Sequence, residues 1–358
     1  MSPREVTLQF EVPEVYRLHL RTGMDGTIRE ARVEGELASR EVGRLVASRY
    51  RDPHKALYVV ERVCGACSQA HTLAFSCAVE RVLGVSVPMR AQAIRTVTAE
   101  LERIQSHLLT LSETAALAGA RGLEQELWRT WQKVTAVLAA VTGSRVHYGI
   151  NCIGGVVHDL PPEALRAASG ALADLGRSLG DLDGVFEREA GSRLRGLGVW
   201  KAAGRDLPGT GPNQRASGSP RDVRAERPYL LYADLPLMIP IRTEGDVLAR
   251  TSVRLEELHI SHRMVKDLLS ALPEGEVRIA DLGGPRPGSA SMSVEAPRGE
   301  DRHDVVLSAD GEVDALAIRV PTEDSLLGVS EALIGVHEED ARLVVASFDL
   351  CLSCFGGT

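Results

Sequence analysis

Apolar positions along the chain follow two periods, and the change of period divides it. Near the N terminus Val6-Thr7-Leu8-Gln9-Phe10-Glu11-Val12 and Tyr16-Arg17-Leu18-His19-Leu20 alternate apolar with polar, the two-residue repeat of half-buried strands, and Asp25-Gly26 supplies a turn before the next run. From residue 94 the spacing becomes three and four. Ile94, Val97, Leu101, Ile104, Leu108 and Leu111 draw one helical stripe, and Leu123, Leu127, Trp131, Val134, Leu138 and Val141 draw a second. Leu165, Leu172, Leu175, Leu179 and Leu182 predict a third helix, and Val253, Leu258, Val265 and Leu269 a fourth. Four such helices close a bundle.

Residues 204–228 are rich in Gly, Pro, Ser and Arg and have no period, so they read as a loop that serves as a linker or a partner-facing surface. Beyond residue 275 the pattern returns to β, with a hairpin from Val305-Val306-Leu307 through the Asp310-Gly311 turn to Ala315–Val320. A last helix is predicted from Glu323 to Ile334. The expected fold class is α+β, mainly α. A β-rich cap covers 1–60, the bundle covers 61–275 with the loop inside it, and an α/β segment covers 276–358.

Composition narrows the class. At 358 residues and 44% hydrophobic, the chain buries a substantial core in one large domain or two intimate ones. A formal net charge of −8 leaves no electrostatic footprint for nucleic acid or for anionic lipid. No stretch approaches the roughly 18 consecutive apolar residues of a membrane span. Met1-Ser2-Pro3-Arg4-Glu5 opens a polar strand pattern in place of a signal peptide. The expectation is a cytoplasmic chain whose membrane contact, on the inner face, is made through partners.

Six cysteines in a reducing compartment argue for metal ligation over a disulfide framework. Four of them form two Cys-x-x-Cys pairs near opposite ends of the chain, Cys64-Gly65-Ala66-Cys67 and Cys351-Leu352-Ser353-Cys354. Four thiolates on two short turns enclose a soft metal once the fold brings the ends together. A structural zinc site is the commonest use of paired motifs, but its pairs usually lie within a few dozen residues on one ribbon or finger. Cys77 and Cys152 lie outside the motifs and read as buried apolar thiols.

The flanking residues carry a resemblance. Glu61-Arg62-Val63-Cys64-Gly65-Ala66-Cys67-Ser68-Gln69-Ala70-His71, Ser347-Phe348-Asp349-Leu350-Cys351-Leu352-Ser353-Cys354 and Glu295-Ala296-Pro297-Arg298-Gly299 resemble, in order, three motifs of the nickel-iron hydrogenase large subunit. Arg51-Asp52-Pro53 before Ala56-Leu57-Tyr58-Val59-Val60, and Glu102-Arg103-Ile104-Gln105-Ser106-His107, look like the same family's approach to the first cysteines and its first long helix. Gly149-Ile150-Asn151, Gly154-Gly155-Val156, Gly211-Pro212-Asn213-Gln214-Arg215-Ala216-Ser217-Gly218 and Asp222-Val223-Arg224 before Pro228-Tyr229 are similar to the membrane-associated, energy-converting branch. That branch is homologous to the quinone-reducing 49 kDa-type subunit of respiratory complex I, which has lost the cysteines. This chain keeps all four.

The resemblance implies a set of roles. Cys64 and Cys351 would be terminal nickel ligands, and Cys67 and Cys354 would bridge nickel to an iron carrying carbon monoxide and cyanide, with magnesium as a further cofactor of the set. His71, four residues past Cys67, would tune a bridging sulfur through a ring N–H. Arg298 would overhang the open coordination site, Asp349 would stand beside it, and Glu61 with Arg62 would hold the first turn. Electrons would leave through an iron-sulfur small subunit to a ferredoxin-like carrier, because no further cysteine run remains in this chain. Membrane ion-translocating subunits follow from the branch.

Three departures stand against that pattern. Counting back from Cys64, the family's Arg-Gly-x-Glu segment falls on Val42-Gly43-Arg44-Leu45, so Leu45 occupies the place of the glutamate that relays protons. Leucine carries no proton, and Glu41 and Glu61 are the nearest substitutes. The family's Asp-Pro-Cys is Asp349-Leu350-Cys351, and Gly357 stands where relatives carry the residue of proteolytic maturation. Two other functions remain open: a complex I-like subunit that reduces a quinone or another carrier without a nickel-iron site, and a structural zinc-binding protein.

Overall fold

The computed structural model describes residues 4–9, 15–36, 40–180, 182–201, 210–355 and 357. An antiparallel sheet of β1 (Arg4–Gln9), β2 (Val15–Thr22) and β3 (Ile28–Glu36) opens the chain, and its alternation buries Leu18, Leu20 and Ile28. Gly26 takes the left-handed conformation that the Asp25-Gly26 turn requires. Residues 10–14, where the first strand was expected to run on, lie outside the described residues. The remainder of the expected β-rich stretch is helical: α1 (Val42–Arg49) and α2 (Pro53–Val60) follow. The α2 start is set by Pro53 in its first turn and by Asp52, whose carboxylate accepts from the backbone N–H of His54 (2.8 Å) and Lys55 (3.1 Å).

α3 (Ser68–Leu83) leads into the predicted bundle, whose first two members are α4 (Met89–Leu117) and α5 (Arg121–Thr142). A two-residue ladder of β4 (Asn151–Cys152) and β5 (Gly155–Val156) precedes the third, α6 (Pro162–Leu179). Short turns α7 (Leu182–Phe186) and α8 (Ser192–Leu194), α9 (Pro212–Arg215) and α10 (Val223–Glu226) separate it from the fourth, α11 (Val247–Ser270). α4 packs on α5 and α11, and α6 packs on α5 and α11, so the four close on each other. The predicted stripe of α4 is buried throughout, from Ile94 to Leu111. Each such residue contributes about 1.5–3 kcal/mol by leaving water.

A second antiparallel sheet, β6 (Gly288–Ala296), β7 (Gly299–Leu307) and β8 (Val313–Arg319), contains the predicted hairpin plus β6, whose small residues gave no strand signal. α12 (Pro321–Leu333), α13 (Ala341–Ser347) and α14 (Leu352–Phe355) complete the chain. α3 lies across β6 and β7, and this contact builds a second apolar core that contains all four motif cysteines. Of the expected loop at 204–228, residues 202–209 lie outside the described residues. The rest is irregular apart from α9 and α10, with Asn213, Arg215, Asp222 and Arg224 buried and residues 225–228 exposed. Among the described residues, no helix is long and apolar enough to cross a membrane.

Candidate metal centre

Two chain reversals bring the cysteine pairs together. After α2 the chain turns at Glu61, whose carboxylate accepts from the backbone N–H of Gly149 and meets Arg62 at 2.5 Å, and the turn places Cys67 at the N terminus of α3. At the other end Asp349 takes a left-handed conformation (φ 54°), strained for a residue with a Cβ, and turns the chain out of α13 toward Cys351. Thr322 then fixes that turn: its hydroxyl accepts from Cys351 N–H (3.0 Å) and donates to Cys351 carbonyl (3.1 Å).

The four sulfurs converge. Cys64 Sγ lies 3.4 Å from Cys351 Sγ, Cys67 Sγ lies 3.0 Å from Cys354 Sγ, and all four fall within 4.8 Å of one another in buried surroundings. None is in a disulfide. Arg40, which the sequence did not single out, ties the two turns to each other by donating to the carbonyls of Val63 (2.7 Å), Arg62 (3.2 Å) and Ser353. Cys77 and Cys152 stand apart from the cluster, but they are half-buried where buried apolar thiols were expected, and Arg95 Nη1 donates to Cys77 Sγ at 3.8 Å; burial pushes the Cys77 thiol up to about 12.

The predicted neighbours are placed as follows. Arg298 sits in the tight turn between β6 and β7 and pairs with Asp349, Nη2 to Oδ1 at 2.8 Å, while its Nε donates to the same oxygen at 2.9 Å. Its Nη1 and the other Asp349 oxygen are buried without a hydrogen-bond partner among the described residues. Arg298 lines a small pocket together with Cys67, Cys354, His71, Ala296, Asp301 and Pro321. His71 Nε2 lies 3.5 Å from Cys354 Sγ. Glu61 stays buried beside Cys64 as a brace for the first turn, whereas Glu41 is exposed and pairs with Arg44 at 3.0 Å. The turn bearing Arg298 requires glycine on both sides, because a Cβ on Gly211 or Gly299 would collide with the backbone carbonyl of Arg298 or Thr210 respectively.

The charges of this cluster do not balance within the protein. Hydrogen bonds from the neighbouring cysteines, with the Arg298 charge, hold the Cys351 thiol well below its usual range. The same sulfur contacts push Cys67 up, and burial pushes Cys354 up. Four buried sulfurs that cannot all ionise, beside an arginine already matched by Asp349, form a donor set that a thiophilic cation completes. Burial works against a charge on His71, but the Asp301 carboxylate and the ionised sulfurs outweigh it and raise the imidazole to about 9.

Behind the cluster lies a second set of buried ionisable groups that sequence reasoning missed. Arg215 meets Glu257 (2.6 Å) and Glu295 (2.8 Å), Arg224 meets Asp222 (2.7 Å) and Glu100 (3.2 Å), and His107 meets Glu257 (2.8 Å). Arg103 donates to the Glu295 carbonyl at 2.6 Å. This network grips the end of β6 and therefore sets where Arg298 stands. Six of its members, Arg103, His107, Arg215, Asp222, Arg224 and Glu295, fall inside the motifs quoted from 102–107, 211–218, 222–224 and 295–299, so the signal was motif membership without a visible partner.

A mainly α subunit whose two ends fold inward to form a buried four-thiolate metal centre is a recognisable class, and comparison places the chain within it. Residues 45–118 match the family model described as nickel-dependent hydrogenase, and residues 119–284 match that of the 49 kDa subunit of respiratory-chain NADH dehydrogenase. The membrane-bound hydrogenase subunit alpha of Pyrococcus furiosus is 34% identical, over 83% of this chain and 74% of that one. The carbon monoxide-induced hydrogenase of Rhodospirillum rubrum is 30% identical, over 85% of each. The chain spans 53% of formate hydrogenlyase subunit 5 of Escherichia coli, at 30% identity. A solved archaeal membrane-bound sulfane sulfur reductase matches 99% of this chain with a TM-score of 0.90 and 28% identity. The chain belongs to the nickel-dependent hydrogenase large subunits of the membrane-bound branch, which join the complex I 49 kDa-type subunits.

Proposed function

We propose that this chain is the catalytic subunit of a membrane-bound nickel-iron hydrogenase that interconverts dihydrogen with two protons and two electrons. The observation that carries the proposal is the buried convergence of Cys64, Cys67, Cys351 and Cys354 within 4.8 Å, beneath the unpaired edge of Arg298. The four cysteines hold the metals, Cys67 and Cys354 on the side of the pocket. A nickel-iron pair with carbon monoxide and cyanide on the iron supplies the Lewis acidity and redox capacity for heterolysis of dihydrogen. Arg298, held in direction by Asp349, offers Nη1 to whatever enters the pocket and excludes bulk water from it. Glu61, braced by Gly149 and Arg62, keeps the Cys64 turn rigid. Electrons pass to an iron-sulfur small subunit and from it to a ferredoxin-like carrier. Membrane subunits of the kind that accompany the named relatives anchor the chain peripherally at the membrane.

Metal analysis of the intact complex tests this. Nickel and iron in equal amounts, infrared bands of iron-bound carbon monoxide and cyanide, and hydrogen-deuterium exchange are the expected results; zinc alone, or no transition metal, sinks the reading. A second reading is favoured by the solved relative that reduces sulfane sulfur and matches the chain nearly end to end. In it two electrons arriving from the iron-sulfur small subunit cleave a sulfur-sulfur bond to two sulfur anions that take up protons from solvent, and Leu45 in place of a proton-relaying glutamate is no handicap. Polysulfide reduction without hydrogen-deuterium exchange selects that reading.

A further inference from the structure

On the side of His71 away from the cysteines, two buried groups close around the ring. Asp301 and His303 are two residues apart on β7, so the strand repeat turns both toward α3. Asp301 Oδ2 lies 2.9 Å from His71 Nδ1, and His303 Nε2 lies 3.1 Å from the same atom, with the two rings tilted by 50° at 5.4 Å between centroids. All three side chains are at most 1% exposed. Among the described residues neither Asp301 oxygen has a well-formed hydrogen bond, and the groups at ion-pair distance from them are the two imidazoles, His71 at 2.9 Å and His303 at 3.6 Å. A buried carboxylate placed this way costs stability, and leucine would fill the volume more cheaply.

We propose that Asp301 is a positioning residue: with His303 it holds the Nδ1 edge of His71 and so keeps the Nε2 edge against Cys354 Sγ, where a hydrogen bond tunes the metal that sulfur binds. The inference rests on the four cysteines holding a metal, as argued above. A ring that lost Asp301 would keep only the 3.1 Å contact of His303 at Nδ1, and the 3.5 Å contact to Cys354 would weaken.

Cobalt(II) added to the metal-free full chain is a probe that does not depend on which metal is native. A hydrogen bond lowers the energy of sulfur electrons, so its loss moves the thiolate-to-cobalt charge-transfer band to longer wavelength. Asp301→Leu is expected to shift the band to longer wavelength at unchanged cobalt stoichiometry, and Asp301→Asn to shift it less. His71→Ala should shift it further, and adding Asp301→Leu to His71→Ala should change nothing more, because the two act through one contact. An unmoved band in both Asp301 variants, or additive shifts, overturns the proposal while the cage stands. A second cobalt equivalent lost in Asp301→Leu also overturns it, by making His71, Asp301 and His303 a cation site of their own. Absence of any thiolate band removes the cage, and the inference with it.

Discussion

Two buried polar regions meet at the β6–β7 turn, and they obey opposite rules. In the network around Arg215 and Arg224, every arginine faces at least one carboxylate and hydroxyls add to the pairing, Tyr232 donating to Glu100 at 2.6 Å and Thr210 to Glu295 at 2.5 Å, so that every charge is matched although the uncharged Nδ1 edge of His107 has no partner among the described residues. In the cysteine cluster, four buried sulfurs stand together with no cation paired to them among the described residues, and the Arg298 guanidinium beside them keeps one edge unpaired. The first region is electrostatically complete and holds structure; the second is incomplete and holds a site. Burial alone does not separate them, since both are excluded from water. What separates them is whether the protein supplies its own counter-charge.

The largest effect should come from the incomplete region and should leave the fold intact. Cys67→Ala removes a sulfur that faces the pocket, and retention of nickel and iron should fall below detection. Loss of several kcal/mol of metal-derived stabilisation lowers exchange activity by about a thousandfold or more. The thermal midpoint of the metal-free chain should barely move. A variant that keeps both metals and its activity would show that the cage is not where the metals bind.

The complete region should respond in the opposite way. Glu257→Gln leaves Arg215 short of its closest partner and His107 without its acceptor charge, and breaking such a buried pair costs about 3–5 kcal/mol. Chemical denaturation should show this loss, while metal content per folded molecule stays at the parent value. If Glu257→Gln instead lowered metal content with no change in stability, the division between a structural and a functional region would fail.

Legibility from sequence follows the same divide. The bundle was readable because α5 and α6 bury one stripe each, and because α4 and α11, buried on most faces, still place their large apolar residues at helical spacing and polar residues between them. α3 left no such trace: it is buried nearly all round, with Gln69, His71, Thr72 and Glu80 facing partners from other elements. The cysteines, His71, Arg298 and Asp349 were readable because their motifs are local. Asp301, His303 and Arg40 were not, since each acts on a residue distant in sequence through a contact that only the fold creates. The stretch 210–228 is largely irregular, as its composition indicated, but composition did not show that Gly211 permits close backbone approach or that Arg215 and Arg224 are buried among carboxylates.

The smallest predicted effect concerns the residue that joins the two regions. Glu102 stands on α4 beside the network and accepts from the backbone N–H of Gln69 (2.7 Å) and Ala70 (3.0 Å), capping the helix that begins at Cys67. Burial raises its carboxyl to about 7, against the pull of those two bonds and of the His71 and Arg103 charges. Between its ordinary value of 4.5 and about 7, the folded chain holds a proton here that the unfolded chain has released. Stability from this group is therefore full below about pH 4.5 and lost as pH rises through about 7. His107, lowered to about 4 chiefly by burial, works in the reverse direction, losing stability as pH falls from 6.5 toward 4. Because Glu102→Gln keeps His107 but cannot ionise at 102, the difference between the two proteins isolates Glu102. Parent stability relative to the variant should fall by at most about 3 kcal/mol between pH 4.5 and 7.5. Parallel pH curves would show that the carboxyl stays ionised in the fold, held by the α3 terminus, and that the cap belongs electrostatically to the completed region.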